Sequence, residues 1–143
     1  MPNHKQTLLT KINEGKALIG IIGLGYVGLP LALAYAEKGF SVLGFDVDAA
    51  KVKALDRGEC YISHIDGARI KKAVRAGNLK ATADFARLNK PDVIIICVPT
   101  PLTAHHDPDM SYIVGTTEQI KKRLRKGQLI VLESTTYPGT TDE

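Results

Sequence analysis

The chain has no tryptophan, three phenylalanines and five tyrosines, so aromatic rings cannot dominate its core and that role passes to Ile, Leu, Val and Ala. With two cysteines, Cys60 and Cys97, it has no disulfide framework to lean on. It also shows no Cys/His grouping at metal-ligand spacing, so no metal is expected. Its apolar runs are short, far below the ~20 residues a membrane span needs. Residues 1–16 lack the continuous apolar stretch of a secretory signal. There, Leu8, Leu9 and Ile12 fall on one side of a short helix, read as a lead-in ahead of the domain. A reducing, cytoplasmic setting without a membrane partner is the expectation. A strong excess of one charge is missing too: 19 Lys and Arg stand against 15 Asp and Glu, a formal net charge of +4. That balance suits an anionic ligand and gives little ground for nucleic-acid binding. The densest basic stretch, Lys121, Lys122, Arg123, Arg125 and Lys126, reads as the solvated close of a helix, where cations complement the negative dipole end.

What is present is a regular alternation. At 143 residues, 44% of them hydrophobic, the chain can bury one core and no more. Strand-length apolar runs at Ala17 to Ile22, Ser41 to Asp46, Leu79 to Thr82, Val93 to Val98 and Gln128 to Glu133 alternate with segments of helical period. Those segments are Tyr26 to Lys38, Ala49 to Arg57, Asp66 to Ala76 and Met110 to Leu124, the last preceded by Asp109 as a cap. The pattern predicts an α/β fold, a parallel sheet with helices on both faces. Val93 to Val98 is so continuously apolar that it is expected to be central and covered on both sides. Five strands so connected suggest the order 3-2-1-4-5 of a Rossmann-like, doubly wound sheet spanning residues 17–143.

Between the first strand and the helix after it stands Gly23-Leu24-Gly25-Tyr26-Val27-Gly28, a GxGxxG in the strand-turn-helix setting that gives the motif its weight. Gly23 permits a tight turn, Gly25 lets a diphosphate approach the backbone, and Gly28 lets the helix pack on the strand. The helix start offers N–H groups and a positive dipole end to the same phosphates. Asp46, at the end of the second strand and 18 residues after Gly28, matches the acid that accepts hydrogen bonds from the adenosine ribose. An acid there repels a 2′-phosphate, which favours NAD over NADP. Lys51 is within reach of the ribose or a phosphate, and equally reads as a solvated helix-face lysine. Pro30, just inside the helix, removes a backbone donor. It reads either as a rule broken near a ligand or as a plain helix bend.

The stretch from Ile19 to Leu33, with Asp46 and Lys51, then Cys97-Val98-Pro99-Thr100-Pro101, then Ser134-Thr135-Thr136-Tyr137-Pro138-Gly139, resembles the UDP-glucose/GDP-mannose dehydrogenase family over nearly the whole chain. The two strand-end segments are more specific than the glycine motif. The resemblance implies an NAD-dependent oxidation of a sugar C6 alcohol to a carboxylate with two NAD in turn, through an aldehyde trapped by a cysteine as a thiohemiacetal. It implies that Thr100 contacts the cofactor near its nicotinamide half. Thr135 would lie beside both the cofactor and the reacting carbon, ordering a water; turn-stabilising and strand-capping roles are the plain alternatives for these two hydroxyls. Within the family, Val98 to Leu102 followed by Pro108 to Tyr112 is most similar to bacterial enzymes of surface-polysaccharide biosynthesis that act on UDP-N-acetylglucosamine or UDP-N-acetylmannosamine. A UDP-glucose 6-dehydrogenase is the nearer alternative. By the same resemblance the catalytic cysteine, lysine and asparagine, the dimerising helix of a homodimer or larger oligomer, and the nucleotide-sugar domain all lie beyond Glu143. Neither Cys60 nor Cys97 stands at the nucleophile's position, and Glu133 is assigned no role. Two readings from other classes remain: a regulatory NAD-sensing module, for which Thr100 and Thr135 would be superfluous, and a 3-hydroxyacid dehydrogenase.

Overall fold

The computed structural model describes residues 3–134. Its elements in chain order are α1 (His4–Asn13), β1 (Leu18–Ile22), α2 (Gly28–Glu37), β2 (Ser41–Phe45), α3 (Ala49–Asp56), α4 (Gly67–Arg75), β3 (Leu79–Thr82), a 3₁₀ turn (Phe85–Asn89), β4 (Val93–Ile96), α5 (Ser111–Lys121) and β5 (Leu129–Leu132). The strands form one parallel sheet in the order β3-β2-β1-β4-β5, the order that the alternation of runs and helices suggested.

Successive strand residues point to opposite faces, and the chain fills both. Ile19, Ile21, Val42, Val93 and Ile95 pack beneath α2, α3 and α4. Ile22, Leu43, Phe45, Ile94 and Ile96 meet Leu88 of the 3₁₀ turn and Ile120 of α5 on the other side. Every residue of β4 is buried, which is why its sequence does not alternate. Aspartates open three of the turns by accepting a backbone N–H two residues on: Asp48 from Ala50, Asp66 from Ala68 and Asp84 from Ala86. Asp109 does the same for Ser111 at the start of α5.

The ends of the sheet differ in character. At the amino end, Asp92 just ahead of β4 is nearly buried and gathers three donors. The Leu18 N–H reaches its Oδ2 at 2.9 Å, while Lys11 of α1 and Arg125 reach Oδ1 at 3.0 and 3.1 Å. Arg125 also donates to the carbonyls of Asn89, Lys90 and Pro91. The carboxyl end opens into a cleft.

Several local expectations shift. The first α2 turn begins at Gly28, not Tyr26, so Pro30 lies within the first turn, where the N–H it lacks has no regular helical partner to lose. Leu8 and Ile12 pack against the core, while Leu9 is exposed. Helix α5 stops at Lys121, and two members of the basic stretch do more than solvate its end: Arg125 ties the amino end of the sheet together, and Arg123 bonds Gln119 and faces the cleft. The 3₁₀ turn was not anticipated; five residues with Leu88 as their sole buried apolar side chain carry no readable period.

Candidate functional site

The cleft has a volume of about 910 Å³ and lies across the carboxyl ends of β1, β2, β4 and β5, the position at which open parallel sheets bind ligands. One wall is the glycine turn. The others come from Asp46 to Asp48 after β2, Ala83 to Ala86 after β3, Val98 to Thr100 after β4, and the face of α5 carrying Tyr112, Thr116 and Gln119.

Each glycine of the turn is required for a different reason. Gly23 has φ +95°, and a Cβ there would sit 2.6 Å from the Cys97 carbonyl oxygen. At Gly28 a Cβ would fall 1.6 Å from the carbonyl oxygen of Gly23, so α2 starts against the turn itself. Gly25 is the opposite case: a Cβ there meets nothing within 4 Å. Neither packing nor a positive φ demands glycine at 25, which leaves the space in front of it as the reason. Around that space the N–H groups of Gly25, Tyr26 and Val27 find no protein acceptor among the described residues, and Tyr26 and Val27 are 76% and 60% exposed. Three neighbouring donors at a helix start, beside a glycine with room before it, fit a dinucleotide diphosphate.

Asp46 is buried at the floor of this turn. Its Oδ2 accepts the Leu24 N–H and its Oδ1 the Asp48 N–H, both at 2.9 Å. The carboxylate therefore fastens the glycine turn to the end of β2, and each oxygen keeps acceptor capacity for a ribose hydroxyl. Leu24 belongs to the scaffold: its side chain is fully buried against Gly44, its N–H serves Asp46 and its carbonyl accepts from the Tyr61 hydroxyl. Lys51, on α3, borders the cleft. It enters none of the ion pairs among the described residues, and its Nζ lies 5.8 Å from the Tyr61 ring centroid.

Thr100 lies at the cleft rim after β4. The segment after β5 is tied to it, because the Ser134 hydroxyl donates to the Val98 carbonyl at 2.8 Å. Thr135 lies outside the described residues. Glu133 and Cys97 both border the cleft. Burial, with Glu133 nearby, pushes the Cys97 thiol up to about 11, so it stays protonated and is a poor nucleophile near neutral pH. Tyr61 and Gln119 carry no signal of their own in the sequence, and Arg123 reads there only as part of a solvated helix end, although it borders the cleft. A helical period leading from the capping Asp109 was the one available sign that α5 turns Thr116 and Gln119 to a common side.

Residues 17–143 match the family model described as the UDP-glucose/GDP-mannose dehydrogenase family, NAD binding domain. The chain belongs to that family. Among its relatives in the UDP-glucose/GDP-mannose dehydrogenase family are the UDP-N-acetyl-D-glucosamine 6-dehydrogenase of Pseudomonas aeruginosa, 39% identical over 125 residues, and the UDP-N-acetyl-D-mannosamine dehydrogenase of Escherichia coli, 40% identical over 128. These alignments cover 87% and 89% of this chain but 29% and 30% of the relatives. The solved NDP-N-acetyl-D-galactosaminuronic acid dehydrogenase of Methanosarcina mazei superposes with a TM-score of 0.84 at 34% identity, covering 99% of this chain and 32% of that one. The chain thus spans about 30% of the length of the family members it matches, and corresponds to their NAD-binding domain. Among the described residues no helix is long and apolar enough to cross a membrane.

Proposed function

We propose that this domain holds NAD for a cytoplasmic dehydrogenase that oxidises the C6 alcohol of a UDP-N-acetylhexosamine to the uronic acid with two NAD, for surface-polysaccharide synthesis. The observation that carries the cofactor half is the set of three unshared N–H groups at Gly25, Tyr26 and Val27 around an open space, with Asp46 beneath. The sugar half rests on relatives named for UDP-N-acetyl-D-glucosamine and UDP-N-acetyl-D-mannosamine at 39% and 40% identity. Bound NAD supplies the hydride acceptor. In this reading the three N–H groups and Lys51 hold the diphosphate side, Gly23 and Gly28 keep the turn in shape, and Asp46 accepts from the adenosine ribose. Thr100 meets the cofactor toward its nicotinamide half, and Thr135 positions a water or the sugar. The sugar pocket and nucleophile belong to a further part of a homodimer or larger oligomer, without nucleic acid as a partner.

Thermal unfolding tests the cofactor half, because a ligand that binds the native state raises the apparent stability by mass action. NAD is expected to raise Tm by several degrees, with NADP and ATP much less effective. Equal shifts from NAD and NADP would remove Asp46 from ribose recognition, and no shift with NAD would remove the site.

A further inference from the structure

The connection between α3 and α4, residues 57–66, has so far had no function, yet it is docked onto the glycine turn at two points. The Tyr61 hydroxyl donates to the Leu24 carbonyl, and the His64 ring stacks on Tyr26 with centroids 5.9 Å apart and planes 14° from parallel. Leu24 is consequently held from both sides: its N–H by Asp46 of the β2 end, its carbonyl by Tyr61. The peptides that follow are those whose N–H groups at Gly25, Tyr26 and Val27 lack protein acceptors. The Lys51 ammonium lies over the Tyr61 ring, 5.8 Å from its centroid, close enough for a cation–π attraction that limits where it can go.

We propose that Tyr61 is a positioning residue for the diphosphate of the bound dinucleotide, its hydroxyl locking the Leu24 peptide and its ring seating Lys51. The inference rests on the reading that this cleft binds NAD. The physical case is one of preorganisation. Donors aimed before the ligand arrives need no ordering when it binds, whereas a turn free to rotate its peptides loses affinity to that ordering. An aliphatic side chain at 61 would leave the buried Leu24 carbonyl without its protein donor and give Lys51 no aromatic face. Burial, then the charges of Asp46, Cys60 and Asp48, push the Tyr61 hydroxyl well above the usual phenol range, so it stays protonated and able to donate at neutral pH.

The test is calorimetric titration of the wild-type chain, Tyr61→Phe and Tyr61→Leu with NAD and with ADP-ribose, and an NMR titration with adenosine, which has no diphosphate. Loss of the hydroxyl in Tyr61→Phe is expected to raise Kd for NAD and ADP-ribose about three- to tenfold, because the turn must then be ordered as the ligand binds. Adenosine affinity should stay within about twofold, while Tm falls by a few degrees because the Leu24 carbonyl loses its donor. Tyr61→Leu should bind more weakly still, and its extra loss should vanish in a Lys51→Met background, since a coupling carried by the pair disappears once one member is gone. Unchanged NAD affinity in Tyr61→Phe overturns the proposal, as does an equal loss for adenosine, which would mark a general loosening of the domain. A wild-type chain that binds no NAD refutes the cofactor reading itself; a wild-type chain that binds while Tyr61→Phe binds equally well refutes the role of Tyr61 alone.

Discussion

Gly25 and Gly28, three positions apart, are expected to answer the same substitution in opposite ways. Gly28→Ala forces a Cβ to 1.6 Å from a backbone oxygen. Backbone cannot step aside cheaply, so urea unfolding should show a loss of about 3 kcal/mol or more. Gly25→Ala puts its methyl into open space; unfolding should change by less than about 1 kcal/mol, while NAD affinity falls by about tenfold or more because the diphosphate's approach is blocked. Wild-type NAD affinity in Gly25→Ala would show that the space serves something else. Asp46→Ala should weaken NAD binding by about 1–3 kcal/mol, as loss of charge-assisted hydrogen bonds does. The Leu24 and Asp48 N–H groups lose their acceptor as well, so a fall in Tm should accompany it. These residues were readable in the sequence because the turn is local and its spacing is dictated by strand-turn-helix geometry. Tyr61 and Asp92 were not, since their partners Leu24 and Leu18 lie 37 and 74 residues away and nothing in the local pattern announces a pairing that only the folded sheet creates.

Among elements, strands and their order followed from the alternation of apolar runs, and β4 from its unbroken hydrophobicity. Boundaries moved by one to three residues where a helix frays or a strand ends in its loop. The function of the segments between elements was less legible. Lys11, Arg125 and the Leu18 N–H converge on Asp92 and so join α1, the segment after α5 and β1 to the start of β4. Burial alone would raise the Asp92 carboxyl, but those three donors outweigh it and hold it below the ordinary aspartate value. A carboxyl depressed in the folded state adds stability that is complete above its unfolded value, about 3.9, and that drains away as pH falls through the lower folded one. Asp92→Asn should therefore cost about 1–3 kcal/mol at pH 7, with the gap between mutant and wild type narrowing below about pH 4. Urea titrations at pH 7 and pH 3 check this; a gap of equal size at both would mean that the carboxylate's charge contributes nothing.

At the scale of the whole molecule, the described sheet presents a cleft with donors for a dinucleotide. Of its two thiols, Cys60 donates to the Ile62 carbonyl away from the main cleft and Cys97 is buried and protonated. Holding a hydride acceptor is not the same as assembling a transition state, which needs substrate, base and nucleophile in register. The 143-residue chain mixed with NAD and any UDP-hexose is expected to produce no absorbance at 340 nm above the protein-free rate; a sustained rise would place the missing chemistry within this chain. The sheet also keeps its two tasks apart. A buried layer of Ile, Val and Leu separates the ion-paired end at Asp92 from the end that carries the cleft. An engineer could accordingly raise heat tolerance around Arg125 and rewrite cofactor preference around Asp46 in separate rounds, with little expectation that gains at one pole would be undone by changes at the other.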